Sequence, residues 1–338
     1  MKLSYDQICS AAQGAVRITE ENGTIRFFRF TDAEQQMYKK RREESWLRSF
    51  ATAGIRLEFD TDSTTLTFAA EIRPSTSRRW FAHSIFADGE RIGEIAGEIP
   101  EDAPMIHVQK QFELKLGKKR VVILLPWSVE SRLEMLCLGD GASFEPVKKA
   151  CRLLAYGDSI TQGYDAEKPE EAYIVQLVDW LNAELICKAI GGERFCPQLA
   201  ELCEVADPAL ITVAYGSNDW RLSELEEFLQ DSQRFFRILA DRFSGIPLIA
   251  LAPVWRIDAD QQTHVGHLDE LAAYYQGLSE QIPNMTVIDC FDFVPHNTDY
   301  YRDRRVHPND MGFQHYANAL IKAVKAAWEQ KDNCTKQK

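Results

Sequence analysis

Short segments of alternating hydrophobic and polar residues fill the chain between residues 24 and 145. They are rich in β-branched and aromatic residues, and turn-forming pairs such as Asp88-Gly89 separate them. A period of two predicts strands with one buried face, and many short strands at near-regular spacing are typical of a β-sandwich or jelly roll. The predicted strands are 25–30, 55–59, 64–72, 80–86, 109–116 and 120–125, with a helix within 32–50.

The pattern changes near residue 150, where continuous apolar runs begin to alternate with longer helical segments. The last helical segment is amphipathic, because Phe313, Tyr316, Ala317 and Leu320 follow the i, i+3, i+4, i+7 rule. Alternation of this kind predicts a parallel sheet covered by helices on both faces. The predicted strands are 152–156, 185–190, 210–215, 247–252 and 286–290, and the predicted helices are 171–181, 222–243, 268–282 and 311–328.

These two patterns predict an α/β protein with two domains. We expect a jelly-roll-like, all-β sandwich over residues 1–148 and a three-layer α/β/α, flavodoxin-like domain with a five-stranded parallel sheet over 149–330. Residues 331–338 are interpreted as a flexible tail.

Composition narrows the possible partners and the location. A net charge of −12 argues against binding to nucleic acid or to an anionic membrane. The chain lacks an apolar run of the roughly 20 residues that a membrane span needs, and its N-terminus lacks the apolar segment of a secretory signal. The eight cysteines form no C-x-x-C pair. We therefore expect reduced, buried thiols and a cytoplasmic protein.

The densest basic cluster is Lys39-Lys40-Arg41-Arg42, which two glutamates follow directly. Mixed charges on a predicted helix are typical of a solvated face. We interpret this cluster in that way.

The strongest chemical signal is Gly157-Asp158-Ser159, directly after the predicted strand 152–156. A tight turn at the carboxyl end of a parallel strand exposes the hydroxyl and directs backbone amides toward the atom it attacks. By itself the tripeptide is a weak signal, because Gly, Asp and Ser also make ordinary turns.

Three further segments lie at predicted strand ends or before the last helix. Gly191-Gly192 follows the second strand, and paired glycines allow backbone amides to approach a ligand closely. Asn218 follows the third strand and can donate its side-chain amide to an oxyanion. His307 lies in the loop before the final helix, near a strand end, where a base could reach the serine.

This ordered set resembles the SGNH hydrolases, also called the GDSL esterase family, over about residues 150–328. The resemblance implies hydrolysis of acyl esters through an acyl-serine, with Ser159 as nucleophile and His307 as general base. It also implies an oxyanion hole formed by the amides of Ser159 and Gly192 and by the side chain of Asn218, without a metal or another cofactor. The other common serine-hydrolase motif, G-x-S-x-G, is not present here because its second glycine is missing.

The acidic member of the catalytic set departs from the family pattern. The commonest pattern places Asp three residues before the histidine, where this chain has Arg304. We select Asp303, four residues before His307, over Asp299 and Asp292. A backbone carbonyl in its place is the alternative.

Five further residues are candidates for contact with substrate: Asp158, Tyr164, Trp220, Trp255 and Arg256. Asp158 has a structural alternative, which is to stabilise the turn. Trp220 and Trp255 could form an aromatic wall for a sugar ring, with core packing as the alternative. His264 and His267 lack a third ligand at zinc-like spacing, so we predict no metal site.

The two-domain arrangement resembles carbohydrate esterases in which a jelly roll precedes the hydrolase domain. The leading hypothesis is therefore an esterase acting on short acyl esters, above all acetyl esters of saccharides, and a homo-oligomer is possible. The alternatives are a lipase, thioesterase or lysophospholipase on the same fold, which would need an apolar groove, and a catalytically inactive sugar-binding protein.

Overall fold

A computed structural model describes residues 1–335, with side chains described through Ala327. The N-terminal domain consists of two antiparallel sheets and three short helices. Its helices are α1 (Tyr5–Ala11), α2 (Asp32–Arg41) and α3 (Glu43–Arg48). Its strands are β1 (Ala12–Gln13), β2 (Arg17–Glu21), β3 (Thr24–Phe28), β4 (Arg56–Thr61), β5 (Thr65–Pro74), β6 (Trp80–Ala87), β7 (Glu90–Glu98), β8 (Ile106–Glu113), β9 (Lys119–Leu124), β10 (Val129–Leu138) and β11 (Glu145–Pro146).

The two sheets pack face to face. One has the order β1-β4-β9-β6-β7, with β11 paired to β4, and the other has the order β2-β3-β10-β5-β8. Inward-facing residues of both sheets, including Leu57, Phe68 and Ile123, form one buried cluster. The predicted β-sandwich is confirmed, whereas its jelly-roll connectivity stays a prediction.

The C-terminal domain alternates strands and helices as predicted. Its elements are β12 (Arg152–Gly157), α4 (Ser159–Gln162), α5 (Tyr173–Leu181), β13 (Glu184–Ala189), α6 (Pro197–Glu201), β14 (Leu210–Ala214), α7 (Ser217–Leu222), α8 (Leu225–Arg242), β15 (Leu248–Leu251), α9 (Leu271–Ser279), β16 (Met285–Ile288) and α10 (Asp310–Thr335). Short 3₁₀ helices occupy Pro169–Glu171, Leu268–Glu270 and Thr298–Tyr300.

All five strands of the C-terminal sheet are parallel, in the order β13-β12-β14-β15-β16. Leu153 and Ala155 face a buried cluster with α5 and α10, whereas Leu154 and Tyr156 face a second cluster with α8 and α9. The three-layer α/β/α prediction is confirmed. Gly157 pairs with Ala189 on one side and with Ala214 on the other, so the loops after β12, β13 and β14 leave the same edge of the sheet.

Several predicted boundaries differ from the structure. The expected helix over 32–50 divides at Arg42, whose backbone is extended. Strands β2, β7 and β10 were not predicted. Strands β2 and β7 are partly exposed edge strands with too few apolar residues to show alternation, whereas β10 is a central strand that the prediction missed. Helix α10 extends to Thr335, five residues into the expected tail, where no glycine or proline interrupts it; residues 336–338 lie outside the described part.

Two sequence expectations concern thiols and membranes. The seven cysteines with described side chains are all free, and Cys187, Cys196, Cys203 and Cys290 are buried. No helix within residues 1–335 has the length and apolarity required to cross a bilayer. The cellular location stays a prediction.

Buried polar contacts connect the two domains near the end of β13. The guanidinium of Arg29, after β3, is fully buried and donates to the carbonyl oxygens of Cys187 and Ala189 at 3.2 and 2.7 Å. Lys188 lies between these residues, and its ammonium is 2.5 Å from the carboxylate of Glu34 in α2, with both side chains fully buried. The segment that leads to Gly192 is therefore held by the N-terminal domain.

Candidate active site

Ser159 lies on a tight turn between β12 and α4. The side chain of Asp158 caps α4 by accepting a hydrogen bond from the amide of Ile160 at 3.0 Å. Gly157 is required at the strand end, because a Cβ there would lie 2.2 Å from the Thr161 hydroxyl. The turn thus positions the Ser159 hydroxyl at the carboxyl edge of the sheet, as the sequence predicts for a parallel strand.

The structure brings the hydroxyl of Ser159 and the imidazole of His307 together, although 148 residues separate them. The Ser159 Oγ lies 2.8 Å from Nε2 of His307, within hydrogen-bond distance. The ring of Tyr164 packs beside the imidazole at 5.4 Å between centroids. The 2.8 Å separation of Ser159 Oγ and His307 Nε2 allows direct proton transfer from the hydroxyl to the imidazole.

Asp303 lies on the other side of the imidazole, with Oδ2 2.8 Å from Nδ1 of His307. Its Oδ1 accepts hydrogen bonds from the amides of Arg305, Val306 and His307 at 2.9, 2.8 and 3.1 Å. Partial burial would raise the pKa of Asp303, but the hydrogen bonds from His307 and the Val306 amide hold this pKa well below its usual range. Asp303 is therefore ionised at neutral pH.

The spacing of four residues between Asp303 and His307 has a local explanation. Arg304 adopts the left-handed conformation, with φ of 59°. The chain therefore turns directly after Asp303, and three successive amides point at its carboxylate. Asp299 forms an ion pair with Arg304, and Oδ1 of Asp292 lies 3.1 Å from Nε2 of His296. Neither carboxylate is in contact with the imidazole of His307 within the described residues.

A second carboxylate approaches the same imidazole. Oδ2 of the buried Asp165 is 3.7 Å from Nδ1 of His307. Two nitrogens of Arg78, from the N-terminal domain, hold the Asp165 carboxylate at 2.7 and 3.0 Å. Asp165, Asp303 and His307 lie close enough together to hold a metal ion. Each of the three groups already has a hydrogen-bond partner, and the absence of a metal from the reaction stays a prediction.

Two backbone amides at the serine have no protein acceptor. Within residues 1–335 no hydrogen bond from the amides of Ser159 or Gly192 is present, although the neighbouring Gly191 amide donates to Gln162 at 2.8 Å. Gly192 has a φ of 76°, which favours glycine. These free donors beside the hydroxyl are suited to an oxyanion.

Asn218 lies at the same site with both amide hydrogens engaged. Its Nδ2 donates to Asp158 at 3.2 Å and to the carbonyl oxygen of Glu193 at 3.0 Å. Burial raises the pKa of Asp158 to about 6. Burial likewise raises the pKa of Asp219 to about 7, although the amides of Phe195 and Gly216 donate to it. Asp219 thus stabilises the loop that holds Asn218.

A cavity of about 300 Å³ opens above the serine. The lining residues come from both domains: Arg42, Arg48, Ser77, Arg78, Asp158, Ser159, Tyr164, Gly191, Gly192, Ser217, Asn218, Arg256, Val306 and His307. Four guanidinium groups therefore surround the site of a protein whose net charge is −12.

The candidate substrate contacts fall into two groups. Asp158, Tyr164 and Arg256 line the cavity. Trp220 does not, because its ring is completely buried and its Nε1 donates to Gly266. Trp255 also lies outside the lining and stacks on His296 at 5.1 Å. Neither tryptophan lines this cavity, so the structure favours core packing for Trp220 and loop packing for Trp255, and an aromatic wall for substrate stays a prediction.

The N-terminal domain contributes to the cavity, which no pattern in the sequence predicted. Arg42 belongs to the cluster that we interpreted as solvated and lies between α2 and α3. Arg48 ends α3, and Ser77 and Arg78 precede β6. Arg41 of that cluster forms an ion pair with the buried Glu193, 2.5 Å away. The alternating charges gave no indication of these contacts, because the partners lie about 150 residues away in sequence.

Comparisons with known proteins agree with this architecture. A salicylyl-acyltransferase from a tetracycline biosynthetic pathway has a TM-score of 0.81, 20% identity and 94% coverage of both chains. A GDSL-like lipase from Bacteroides ovatus has a TM-score of 0.77, 16% identity, and 97% and 98% coverage of this and that chain. A family two carbohydrate esterase from Cellvibrio japonicus has a TM-score of 0.64, 17% identity, and 94% and 95% coverage. No curated protein matches the chain significantly in sequence.

The parallel sheet and the hydrogen-bonded serine and histidine at its edge define a hydrolase of the α/β/α class. Residues 155–315, which run from within β12 to within α10, match the GDSL-like Lipase/Acylhydrolase family. The C-terminal domain therefore matches the GDSL-like acylhydrolases over most of its length, and the protein is an ester hydrolase.

Proposed function

We propose that this protein hydrolyses short-chain esters, above all acetyl esters of saccharides, through an acyl-serine intermediate. One observation carries the proposal: the hydroxyl of Ser159, the imidazole of His307 and the carboxylate of Asp303 form a continuous chain of hydrogen bonds of 2.8 Å each. This chain ends in a cavity beside two unpaired backbone amides.

In the proposed first half-reaction, Ser159 Oγ attacks the ester carbonyl carbon while His307 Nε2 takes the hydroxyl proton. Asp303 fixes the tautomer of His307 and stabilises the imidazolium that forms. The amides of Ser159 and Gly192 donate to the developing oxyanion. Collapse of this intermediate breaks the ester bond, and His307 protonates the departing alcohol. Water then attacks the acyl-serine by the reverse sequence and releases the acid.

Asn218 completes the oxyanion hole if one of its two hydrogen bonds is exchanged. The bond to Asp158, at 3.2 Å, is the longer one, and the bond to the Glu193 carbonyl would keep the side chain oriented. In this exchange, one N–H of Asn218 stops donating to Asp158 and donates to the oxyanion instead. The donor would then act mainly in the transition state, where it accelerates the reaction most.

The preference for short acyl groups rests on the lining of the cavity. Long acyl chains need an apolar groove, whereas arginines, serines and Asn218 form most of these walls. The saccharide as alcohol partner rests on the fold shared with the carbohydrate esterase from Cellvibrio japonicus. A polar cavity of about 300 Å³ is also large enough for a small sugar.

The test is a series of p-nitrophenyl esters from acetate to decanoate, run beside acetylated xylo-oligosaccharides. We expect kcat/KM to fall steadily as the acyl chain lengthens, and acetate to be released from the saccharides. Higher values for long chains would instead favour the lipase or thioesterase alternative. Absence of turnover together with absence of fluorophosphonate labelling at Ser159 would favour an inactive binding protein.

A further inference from the structure

The four arginines around the cavity differ in how their charge is balanced. Arg78 is held by Asp165, Arg256 is 2.5 Å from Asp258, and Arg42 is 2.5 Å from Glu44. Arg48 forms no ion pair with any carboxylate in the part of the chain that the structure describes. Asp158 is the single carboxylate among the lining residues. Among the four arginines, Arg48 is therefore the one without an ion pair in the described residues, although Glu44 of the same helix is close enough to interact with it electrostatically.

Arg48 lies beside the Gly191-Gly192 segment. Its Nη1 donates to the carbonyl oxygen of Gly191 at 2.5 Å and would be 3.1 Å from a Cβ placed on Gly192. This is the one hydrogen bond that the guanidinium makes to residues 1–335, so its other N–H groups have no protein acceptor. Arg42 approaches the same loop, with Nη1 3.5 Å from the Gly192 carbonyl oxygen.

A second cavity, of about 260 Å³, borders Arg48 and is built from the N-terminal domain alone. Arg48 and Ser77 line both cavities and so form a shared wall. A substrate that extends from Ser159 past Gly192 must pass the free guanidinium edge of Arg48. A planar guanidinium with several unused N–H groups is the side chain best suited to a carboxylate or a phosphate.

We propose that the ester substrate carries an anionic group, a carboxylate or a phosphate on its saccharide part, which Arg48 binds with Arg42 beside it. This inference rests on the proposed function and narrows its substrate class. A substrate anion would give the Arg48 guanidinium the hydrogen-bonded anionic acceptor that no carboxylate within residues 1–335 supplies. It would also explain why a strongly acidic protein places arginines around its site, since like charge elsewhere would otherwise repel such a substrate.

The test compares three monoacetylated methyl glycosides: those of glucose, of glucuronic acid and of glucose 6-phosphate. We expect kcat/KM for at least one charged ester to exceed that of the neutral ester by about 10- to 100-fold, the usual effect of a charge-assisted contact. Arg48→Met should remove most of this preference, and Arg48→Lys, which keeps the charge but not the planar fork, should remove part of it. The two charged arms distinguish a carboxylate from a phosphate.

The control is Arg237→Gln on the exposed face of α8, which changes the net charge equally and should leave the preference intact. Equal kcat/KM for neutral and charged esters would overturn the inference. A preference that survives in Arg48→Met would do so as well, as would an equal loss on all three esters, which would indicate a role in positioning the Gly192 loop.

Failure of the proposed function is separable from failure of this inference. If no ester is hydrolysed, the proposed function fails. Measurements of binding affinity then test the inference about Arg48 separately. Calorimetric titration of Ser159→Ala protein with the charged and neutral glycosides should show at least about tenfold tighter binding of a charged one, lost with Arg48→Met. Equal affinities would overturn the inference.

Discussion

The two walls of the catalytic cavity are built in different ways. On the C-terminal wall, Ser159, Gly192 and Asn218 each follow a parallel strand within a few residues, so the sheet itself places them. On the N-terminal wall, Arg42, Arg48 and Arg78 come from helices and loops, and only the packing of one domain on the other brings them to the cavity. The first wall is set by local topology and the second by contacts between domains.

This difference separates the chemistry from the selectivity of the site. The C-terminal wall holds the groups that can cleave an ester, while the N-terminal wall holds cations that can select an ester substrate.

The largest effect is expected for Ser159→Ala. Loss of the attacking oxygen should lower kcat by at least about 10⁴-fold. Thermal stability should stay close to that of the wild type, because His307 is the one hydrogen-bond partner of the Ser159 hydroxyl among the described residues. Steady-state kinetics and a melting curve measure both, with Ser279→Ala at the end of α9 as the control. If Ser159→Ala kept its activity, the C-terminal wall would not supply the catalytic nucleophile.

Next is the buried ion pair that connects the two walls. Lys188→Met leaves the Glu34 carboxylate buried without its cation and should cost about 3–5 kcal/mol of unfolding free energy. The double variant Lys188→Met with Glu34→Gln removes both charges and should recover most of the loss. Urea unfolding measures both variants. A double variant as unstable as the single one would show that the pair does not connect the domains through charge.

The two walls each contribute to the carboxylates near His307, because Asp303 contacts His307 directly and Arg78 of the N-terminal wall holds Asp165. Asp303→Asn should lower kcat by about 10²- to 10³-fold. Replacing the Asp of a Ser-His-Asp triad by Asn typically lowers kcat by ~10⁴-fold. We expect a smaller loss here, because Asp165 stays 3.7 Å from the imidazole and can partly replace Asp303. Adding Asp165→Asn should enlarge the loss. Unchanged kcat in Asp303→Asn would instead favour a backbone carbonyl as the partner of His307.

The smallest effect concerns pH and stability. Burial raises the pKa of Asp219 to about 7, so the folded state binds its proton more tightly than the unfolded state. Its contribution to stability therefore falls as the pH rises from the unfolded pKa toward the folded one. Between about pH 5 and pH 8, Asp219→Asn should lose about 2 kcal/mol less stability than the wild type. Urea unfolding at both pH values measures this, and parallel losses would contradict it.

The sequence predicted those features of the site that depend on one residue type at the end of one strand. Period-two and helical patterns predicted both domains and the five parallel strands. The register that pairs Gly157 with Ala189 and Ala214 then places Ser159, Gly192 and Asn218 at one edge. His307 followed from its position before an amphipathic helix.

The rest depended on contacts that no local pattern records. Arg42 belongs to a cluster with the mixed charge of a solvated face, yet it contacts a loop 150 residues away. Trp220 follows the Asn218 segment directly, but a helix turn directs its ring into the core. The left-handed Arg304, which brings Asp303 to His307, likewise has no glycine to indicate it.

The buried guanidinium of Arg29 has a consequence for modularity. It donates to carbonyl oxygens on both sides of the domain boundary: those of Arg48 and Ala51 in its own domain, and those of Cys187 and Ala189 in the hydrolase domain. A hydrolase domain produced alone would leave its share of these acceptors without the cation that satisfies them. In a chimera, a foreign sandwich would have to supply an equivalent cation at this point, so the two halves are not interchangeable parts.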